Sequence, residues 1–564
     1  MKPILLSLLF SASIGWGETI QHRGIWLHPE QFKTPQLADE WIGKIASARL
    51  NAIYPLVWHQ GGTAWFRSLH SPMAGDVPEG FDPLGYLVKV AHARGIDVHA
   101  WFVNGSYGHR RPGVVFPRHP DWELQGPRGG EMWYDLGKPA VRDFQRDVML
   151  ECLKNYDIDG LHFDYIRYSG QVVCYCEHCQ NEFAQKYGFR PLKRAGERFP
   201  VMLDVGSNPL GKPTTAKVLA TFDDGVPAIA VNQLDAGEAV LVNWVAAGRS
   251  CLALDDFVSE TMKRFGATAK NTFQLNTTQT QAKYRPTEQE KAQTWLRELG
   301  FRTKLIDESA LAKVPKATTI VLAGQYLMDA ETAKWLEDFV RAGGHCLFLD
   351  GPVLAIRHKP LQQVTGFGGT AKYFHGCRII SPTPDQDVLK AGPPVDAEKE
   401  RQRMEKWVEY RKWTVTELVR SVYKGAKAIK PRAWINAAVF YKKESADKVC
   451  QDWYGWLREG CMDYVLPMAY TEDNEVLAKA FAEWRGFDPR MERIIPGLSI
   501  YSRRDGKAGP RDLSLIRSQL EMCNANATRG NQFFSLAYLN DALIQYLATG
   551  PFAEPSKPYY PTRR

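Results

Sequence analysis

The sequence predicts an α/β protein whose main body is a (β/α)8 barrel, interrupted after its fourth strand by a smaller α/β domain. Three observations carry that prediction. Short apolar runs that end in polar or aromatic residues recur eight times, four between about residues 20 and 200 and four between about 390 and 550, with amphipathic helical stretches between them. The count is broken once, between about residues 190 and 390, by a stretch with its own strand and helix pattern. At 564 residues the chain has room for a large barrel and a second domain.

The elements follow in order. Residues 1–17, MKPILLSLLFSASIGWG, join Lys2, an apolar run from Ile4 to Phe10 and small residues at Gly15 and Gly17, the form of a secretory signal peptide cleaved near Gly17. The mature chain is therefore expected to be exported, to the periplasm or outside the cell. No later run reaches the 18 or so apolar residues of a membrane helix. The first half of the barrel, residues 18–200, takes as strands RGIWLHP (Arg23 to Pro29), NAIYPLVW (Asn51 to Trp58), IDVHAWFVN (Ile96 to Asn104) and DGLHFDYIRY (Asp159 to Tyr168). Helical patterns such as VRDFQRDVMLECLKNY precede the second, third and fourth. Residues 201–390 open with a β-rich stretch that carries Asp-Gly and Ala-Gly turn signals, then alternate helix and strand like a small parallel α/β domain. The second half of the barrel, residues 391–550, starts with a charged helical run from Asp396. Its strands are RAWINAAVF (Arg432 to Phe440), MDYVLPMAY (Met462 to Tyr470), RIIPGLSIY (Arg493 to Tyr501) and NQFFSLAYL (Asn531 to Leu539). Residues 551–564 are Pro-rich and are expected to form a flexible tail.

Composition narrows the function classes. The net charge of +8 is spread along the chain without a long Lys/Arg run, which gives nucleic-acid binding little support. Aromatic residues make up 12%, with 17 Trp and 23 Tyr, and such rings suit stacking on sugars, although most aromatic residues in any protein simply pack.

In a (β/α)8 barrel the chemistry sits at the C-terminal strand ends. Those ends carry Trp26 and His28 on strand one, Trp58 and His59 on two, Trp101 and Asn104 on three, Asp164, Tyr165 and Arg167 on four, and Tyr501 on seven. A rim of aromatic rings with polar handles matches a polysaccharide or oligosaccharide substrate, and it places Asp164 where a general acid or base belongs. The competing reading of Asp164 is a helix cap or an ion pair with Arg167. Glycoside hydrolysis usually needs a second carboxylate, and Glu472 and Asp473, in the strand-six MAYTED loop, are the candidates. A variant mechanism uses one protein acid and the substrate's N-acetyl group. The PMAY at the end of strand six resembles the Met-x-Tyr of family 18 chitinases, which assigns Tyr470 to the acetamido group. A barrel that binds glycan without cutting it remains the alternative.

Ten cysteines are present, three of them in CYCEHC: Cys174, Cys176 and Cys179. This spacing, on a loop just after strand four, suits thiolate coordination of a structural zinc ion better than disulfide pairing, and no cofactor is expected in the chemistry itself. The candidates for a fourth ligand are His178, His109, His119 and Cys377, while Cys152 is expected in the core. Cys450 and Cys461, flanking QDWYGWLREG, are a conceivable disulfide pair.

The motifs RGIWLH, YDIDGLHFDYIRY, the Trp407 to Trp413 helix, AIKP, CQDWYGWLREGCMDYVLPMAY and IIPGLSIY resemble the glycosyl hydrolase-like 10 family, which are exported bacterial barrel proteins. The resemblance covers both barrel halves and implies an exported glycosidase acting on polysaccharide, with Asp164 as its leading catalytic residue. The inserted stretch resembles, through VLATFDDGVPAIAVNQLDAGEAVLVNW and FVRAGGHCLFLDGP, the class I glutamine-amidotransferase-like domain of some β-galactosidases. Glutaminase chemistry would need a Cys on a sharp strand-to-helix turn, and Cys346 lies inside a strand instead. The insert is therefore expected to serve as a platform, through which a homo-oligomer would form, or as one wall of the cleft. Some family 42 β-galactosidases look similar at the cysteine loop.

Overall fold

The computed structural model describes residues 19–561, except 60, 109–112, 127–128, 171–173, 175, 191–200, 208–209, 223, 244–251, 284–286, 325–326, 350–357, 371–373, 383–396 and 505–506. The expected signal peptide, residues 1–17, lies outside the described residues.

All eight expected barrel strands form. They are β1 His22–Leu27, β2 Ala52–His59, β3 Asp97–Val103, β4 Gly160–Asp164, β5 Trp434–Val439, β6 Tyr464–Pro467, β7 Gly497–Ser499 and β8 Gly530–Phe534. Each pairs in parallel with the next from β1 to β6, β7 pairs with β8, and β8 returns to β1. Isolated bridges from Val465 to Ile494 and from Met468 to Gly497 join β6 to β7, so the ring nearly closes. Around it run α1 Pro35–Ser47, α2 Pro83–His92, α3 Pro139–Asn155, α4 Glu177–Tyr187, the long α5 Ala397–Ile429, α6 Asn474–Phe487, α7 Leu513–Ala525 and α8 Asp541–Thr549. Local chemistry sets their starts. Pro35, Pro83 and Pro139 occupy the first helical position, where the missing N–H costs nothing, and the Thr34 and Asp82 side chains cap Leu37 N and Gly85 N.

Side chains alternate across the barrel wall. Ile25, Leu27, Ile53 and Val57 face the outer helices, while Trp26, Tyr54, Trp101, Tyr464 and Leu466 fill the interior. A column of polar groups threads that interior. The Trp26 indole can only donate, so His162 Nε2 accepts from it (2.9 Å) and His162 Nδ1–H donates to Asn436 Oδ1 (2.6 Å). Asn436 Nδ2 then donates to His99 Nδ1 (3.2 Å), and His99 Nε2–H donates to the Tyr560 hydroxyl (3.0 Å), which donates to Asp97. Burial lowers the pKa of His162 to about 3 and drives that of His99 well below 6.5, so both rings stay neutral.

Tyr560 comes from the segment expected to be a flexible tail, and the structure corrects that expectation. Ser556–Lys557 pairs in parallel with Thr19–Ile20, and the Tyr560 ring stacks on Trp434 at 4.5 Å at the N-terminal mouth of the barrel. An aromatic ring with buried hydrogen-bond partners holds the end of the chain in place. Only 562–564 of the tail fall outside the described residues.

Residues 201–382, which lie in sequence between β4 and β5, make a second nine-stranded sheet. Five strands, 304–306, 272–275, 319–323, 345–349 and 237–242, run parallel, and four, 227–234, 217–222, 374–382 and 201–207, continue it antiparallel. The sheet is thus mixed: tight turns close the hairpins of 217–222 with 227–234 and of 227–234 with 237–242, and 374–382 joins 217–222 to 201–207. Apolar clusters form around Val240, Phe257 and Leu347 and around Leu241, Leu336 and Phe348. Cys346 is fully buried inside its strand, and burial pushes its thiol pKa up.

Candidate active site

Asp164 is the last residue of β4 and is buried. Its Oδ2 accepts the Trp101 indole N–H (3.1 Å) and its Oδ1 accepts the Tyr165 backbone N–H (2.7 Å). The second bond requires a sharp turn out of the strand. Tyr165 takes φ of 50°, the left-handed region that bulky residues seldom adopt. Gly105, just past β3, makes room for that turn: a Cβ there would sit 2.3 Å from the Tyr165 carbonyl oxygen and 2.5 Å from that of Arg167. Burial raises the Asp164 pKa from 3.8 to about 6, against the opposing pull of the Arg167 guanidinium and of the two hydrogen bonds. A carboxyl with that pKa can hold a proton near neutrality and give it up.

A ring of aromatic side chains adjoins this carboxyl. His28 stands edge-on to Trp101 (5.4 Å) and to Phe534 at the end of β8 (5.8 Å), and burial lowers its pKa. Tyr470 stacks on Phe534 (5.1 Å), and Tyr501 meets Phe534 edge-on (6.1 Å) and stacks on Tyr538 (5.2 Å). Burial and then the nearby Asp164 charge push the Tyr470 hydroxyl pKa well above 10, so it stays a hydrogen-bond donor. The Arg167 guanidinium lies over Tyr165 (4.4 Å), Phe440 (4.7 Å) and Trp133 (5.4 Å). Trp26 lies beneath, fully buried and edge-on to Tyr470 at 6.4 Å, as part of the floor.

Other expected site residues sit elsewhere. A register shift after Leu56 turns Trp58 to the outer side of the sheet, where its indole donates to Ser71 Oγ (2.9 Å) and its ring packs on Tyr134. His59 pairs with Thr63 in a short antiparallel extension of β2. Asn104 is fully buried against α3, exchanging hydrogen bonds with Gln145 (3.2 and 2.9 Å). Asp473 caps α6 by accepting from Glu475 N and Val476 N, and Glu472 is exposed beside Arg511. Asp473 is thus a helix cap, while the Asp164 carboxylate is bonded to the Trp101 indole and the Tyr165 N–H. Sequence reasoning missed Phe534, although the strand-end rule points to it, and Trp133, which a hairpin between β3 and α3 delivers with no sequence signal.

The three loop cysteines converge with a fourth residue. One ligand atom each from Asp135, Cys174, Cys176 and Cys179 lie within 4.8 Å of one another, and the three thiols are free of disulfides. The expected fourth ligands do not join them: His178 is exposed and faces Glu182, His119 stacks on Trp122, and His109 and the Cys377 side chain fall outside the described residues. Cys152 is buried in α3, as expected. Cys450 and Cys461 are both buried, and no disulfide joins them.

The model of the glycosyl hydrolase-like 10 family matches residues 21–196 and 381–502, more than half of the chain and both barrel halves. This chain belongs to the glycosyl hydrolase-like 10 family. The match passes over 197–380, the stretch that makes the second sheet. Among curated proteins the chain is 32% identical to glycosyl hydrolase DigH of Escherichia coli (strain K12) over 148 residues, 22% of this chain and 33% of that protein. It is 33% identical to glycosyl hydrolase YngK of Bacillus subtilis (strain 168) over 101 residues, 17% of this chain and 19% of that one. The chain thus spans a third or less of the length of these relatives. Among solved structures it is similar to the PgaB (BpsB) glycoside hydrolase domain of Bordetella bronchiseptica, at 10% identity and a TM-score of 0.43 over 94% of this chain and 98% of that one. It is also similar to a β-galactosidase of Bacillus circulans sp. alkalophilus, at 11% identity and a TM-score of 0.42 over 92% and 50%. No helix among the described residues is long and apolar enough to cross a membrane.

Proposed function

We propose that the protein is an exported glycoside hydrolase that cuts an amino-sugar polysaccharide at the C-terminal face of its barrel, with Asp164 as general acid. The observation that carries this is the buried Asp164 carboxyl, raised to about 6 and set beside aromatic rings at the end of β4. In this reading Asp164 protonates the glycosidic oxygen as the bond to the anomeric carbon breaks. Asp473 caps α6 and Glu472 is exposed, so we assign the nucleophile to the substrate's own acetamido oxygen, steadied by the Tyr470 hydroxyl. His28, Trp101, Tyr165 and Tyr501 supply stacking and hydrogen bonds to the sugars. We read residues 201–390 as an inserted, non-catalytic domain, and the cysteine loop as the seat of a structural zinc ion outside the chemistry.

A reducing-end release assay on paired N-acetylated and N-deacetylated glycans, with plain glucans as a third arm, tests the reading. Cleavage confined to acetylated strands is expected, and equal cleavage of plain glucans would contradict the acetamido mechanism. The cap role of Asp473 favours one other reading, a barrel that binds glycan without cutting it. Binding without release on every arm would establish that alternative.

A further inference from the structure

We propose that Asp135 is the fourth ligand of the cysteine-loop zinc site and that the bound ion staples the hairpin after β3 to the loop after β4, holding Trp133 and Arg167 in the wall of the Asp164 site. The proposal rests on the structural-zinc reading of that loop. Four observations carry it. First, the four ligand atoms lie within 4.8 Å of one another, close to the edge of about 3.8 Å that a zinc–sulfur length of about 2.3 Å implies for a tetrahedron. Second, the sulfurs accept backbone N–H groups and two of them face the carboxylate directly, Cys176 Sγ and Cys179 Sγ each lying 3.3 Å from Asp135 Oδ2. Cys174 Sγ accepts the N–H of Gln125 (3.1 Å) and of Cys176 (3.3 Å), and Cys176 Sγ accepts that of Cys179 (3.5 Å), as thiolate ligands do.

Third, four anionic ligands outweigh a divalent ion, so a buried site of this kind needs a cation nearby. Arg411 of α5 supplies one. It is fully buried, its Nη2 lies 3.5 Å from Asp135 Oδ1, and among the described residues its Nε and Nη1 have no hydrogen-bond partner. Gly137 leaves room for this packing, since a Cβ there would meet Cys179 Sγ at 2.4 Å and Arg411 Nη1 at 2.8 Å. Fourth, the ligands come from two loops that both reach the active site. Asp135 ends the hairpin of Glu123–Gly126 and Gly129–Tyr134, which carries Trp133 against Tyr165 (5.8 Å) and Arg167. The three cysteines continue the segment that begins with Asp164, Tyr165 and Arg167. One ion therefore ties both halves of that wall together.

The experiment uses the full mature chain expressed with zinc. Metal analysis is expected to give one zinc per chain, and X-ray absorption is expected to show three sulfurs at about 2.3 Å and one oxygen at about 2.0 Å. Hydrogen exchange is then followed before and after chelation and on return of zinc. Chelation is expected to speed exchange at least tenfold in residues 129–134 and 165–168 while leaving β1 and β8 protected, and zinc is expected to restore it. Absence of metal would overturn the structural-zinc reading itself. Bound zinc with four sulfurs, or an Asp135→Asn variant that folds and keeps zinc as tightly as the wild type, would overturn the role of Asp135 alone. Loss of zinc without a change in exchange would overturn the staple.

Discussion

Asp164 links the fold to the proposed chemistry, and its environment makes two predictions. A group that must be protonated to act, with a pKa of about 6, loses activity as pH rises. The plot of kcat/KM against pH is expected to turn down near 6 and to fall about tenfold per unit above it. The same burial opposes folding. The folded pKa of about 6 lies above the ordinary 3.8, so the stability that protonation confers is complete below about 3.8 and is lost as pH rises through 6. Asp164→Asn removes that burden but turns one acceptor of the Trp101 and Tyr165 N–H groups into a donor, so its net effect at pH 7 is expected to stay within about 2 kcal/mol of zero, read from the melting temperature. At this scale the site was half legible. A carboxylate that ends a strand in DGLHFDYIRY stands out from position alone, and so does the neighbouring Arg167. Trp58 does not behave as its strand-end position suggests, because a register shift of one residue sends a side chain to the other face. Asp135 reads in sequence like any residue ahead of a helix, and only the folded hairpin brings it to the cysteines.

At the scale of elements, the barrel strands were legible because each is a short apolar run that must be buried on both faces. The tail was not, because its composition says nothing of the two mouths of a barrel. Tyr560 closes one of them through Trp434, His99 and Asp97. Tyr560→Ala is expected to cost about 2–4 kcal/mol, through lost packing and unpaired buried partners, and thermal unfolding measures it. An unchanged melting temperature would mean that the tail is merely laid against the barrel.

The whole molecule carries separate apolar cores, those of the barrel and those of the second sheet. Independent cores predict two calorimetric transitions, and any shift caused by Asp164→Asn should fall on only one of them. A single transition that shifts as a unit would show that the two sheets unfold together. The break in the strand count and the two turn signals were visible in sequence, whereas the antiparallel pairing of 374–382 with 217–222 and 201–207 was not, since those strands lie far apart in the chain. The central claim, that one buried carboxyl in a family-10-like barrel performs acid catalysis, is tested most directly by comparing the wild type with Asp164→Asn on the glycan that the release assay identifies. Binding retained with turnover lowered by at least about a thousandfold is the expected result. A variant that still cleaves at a comparable rate would contradict the account.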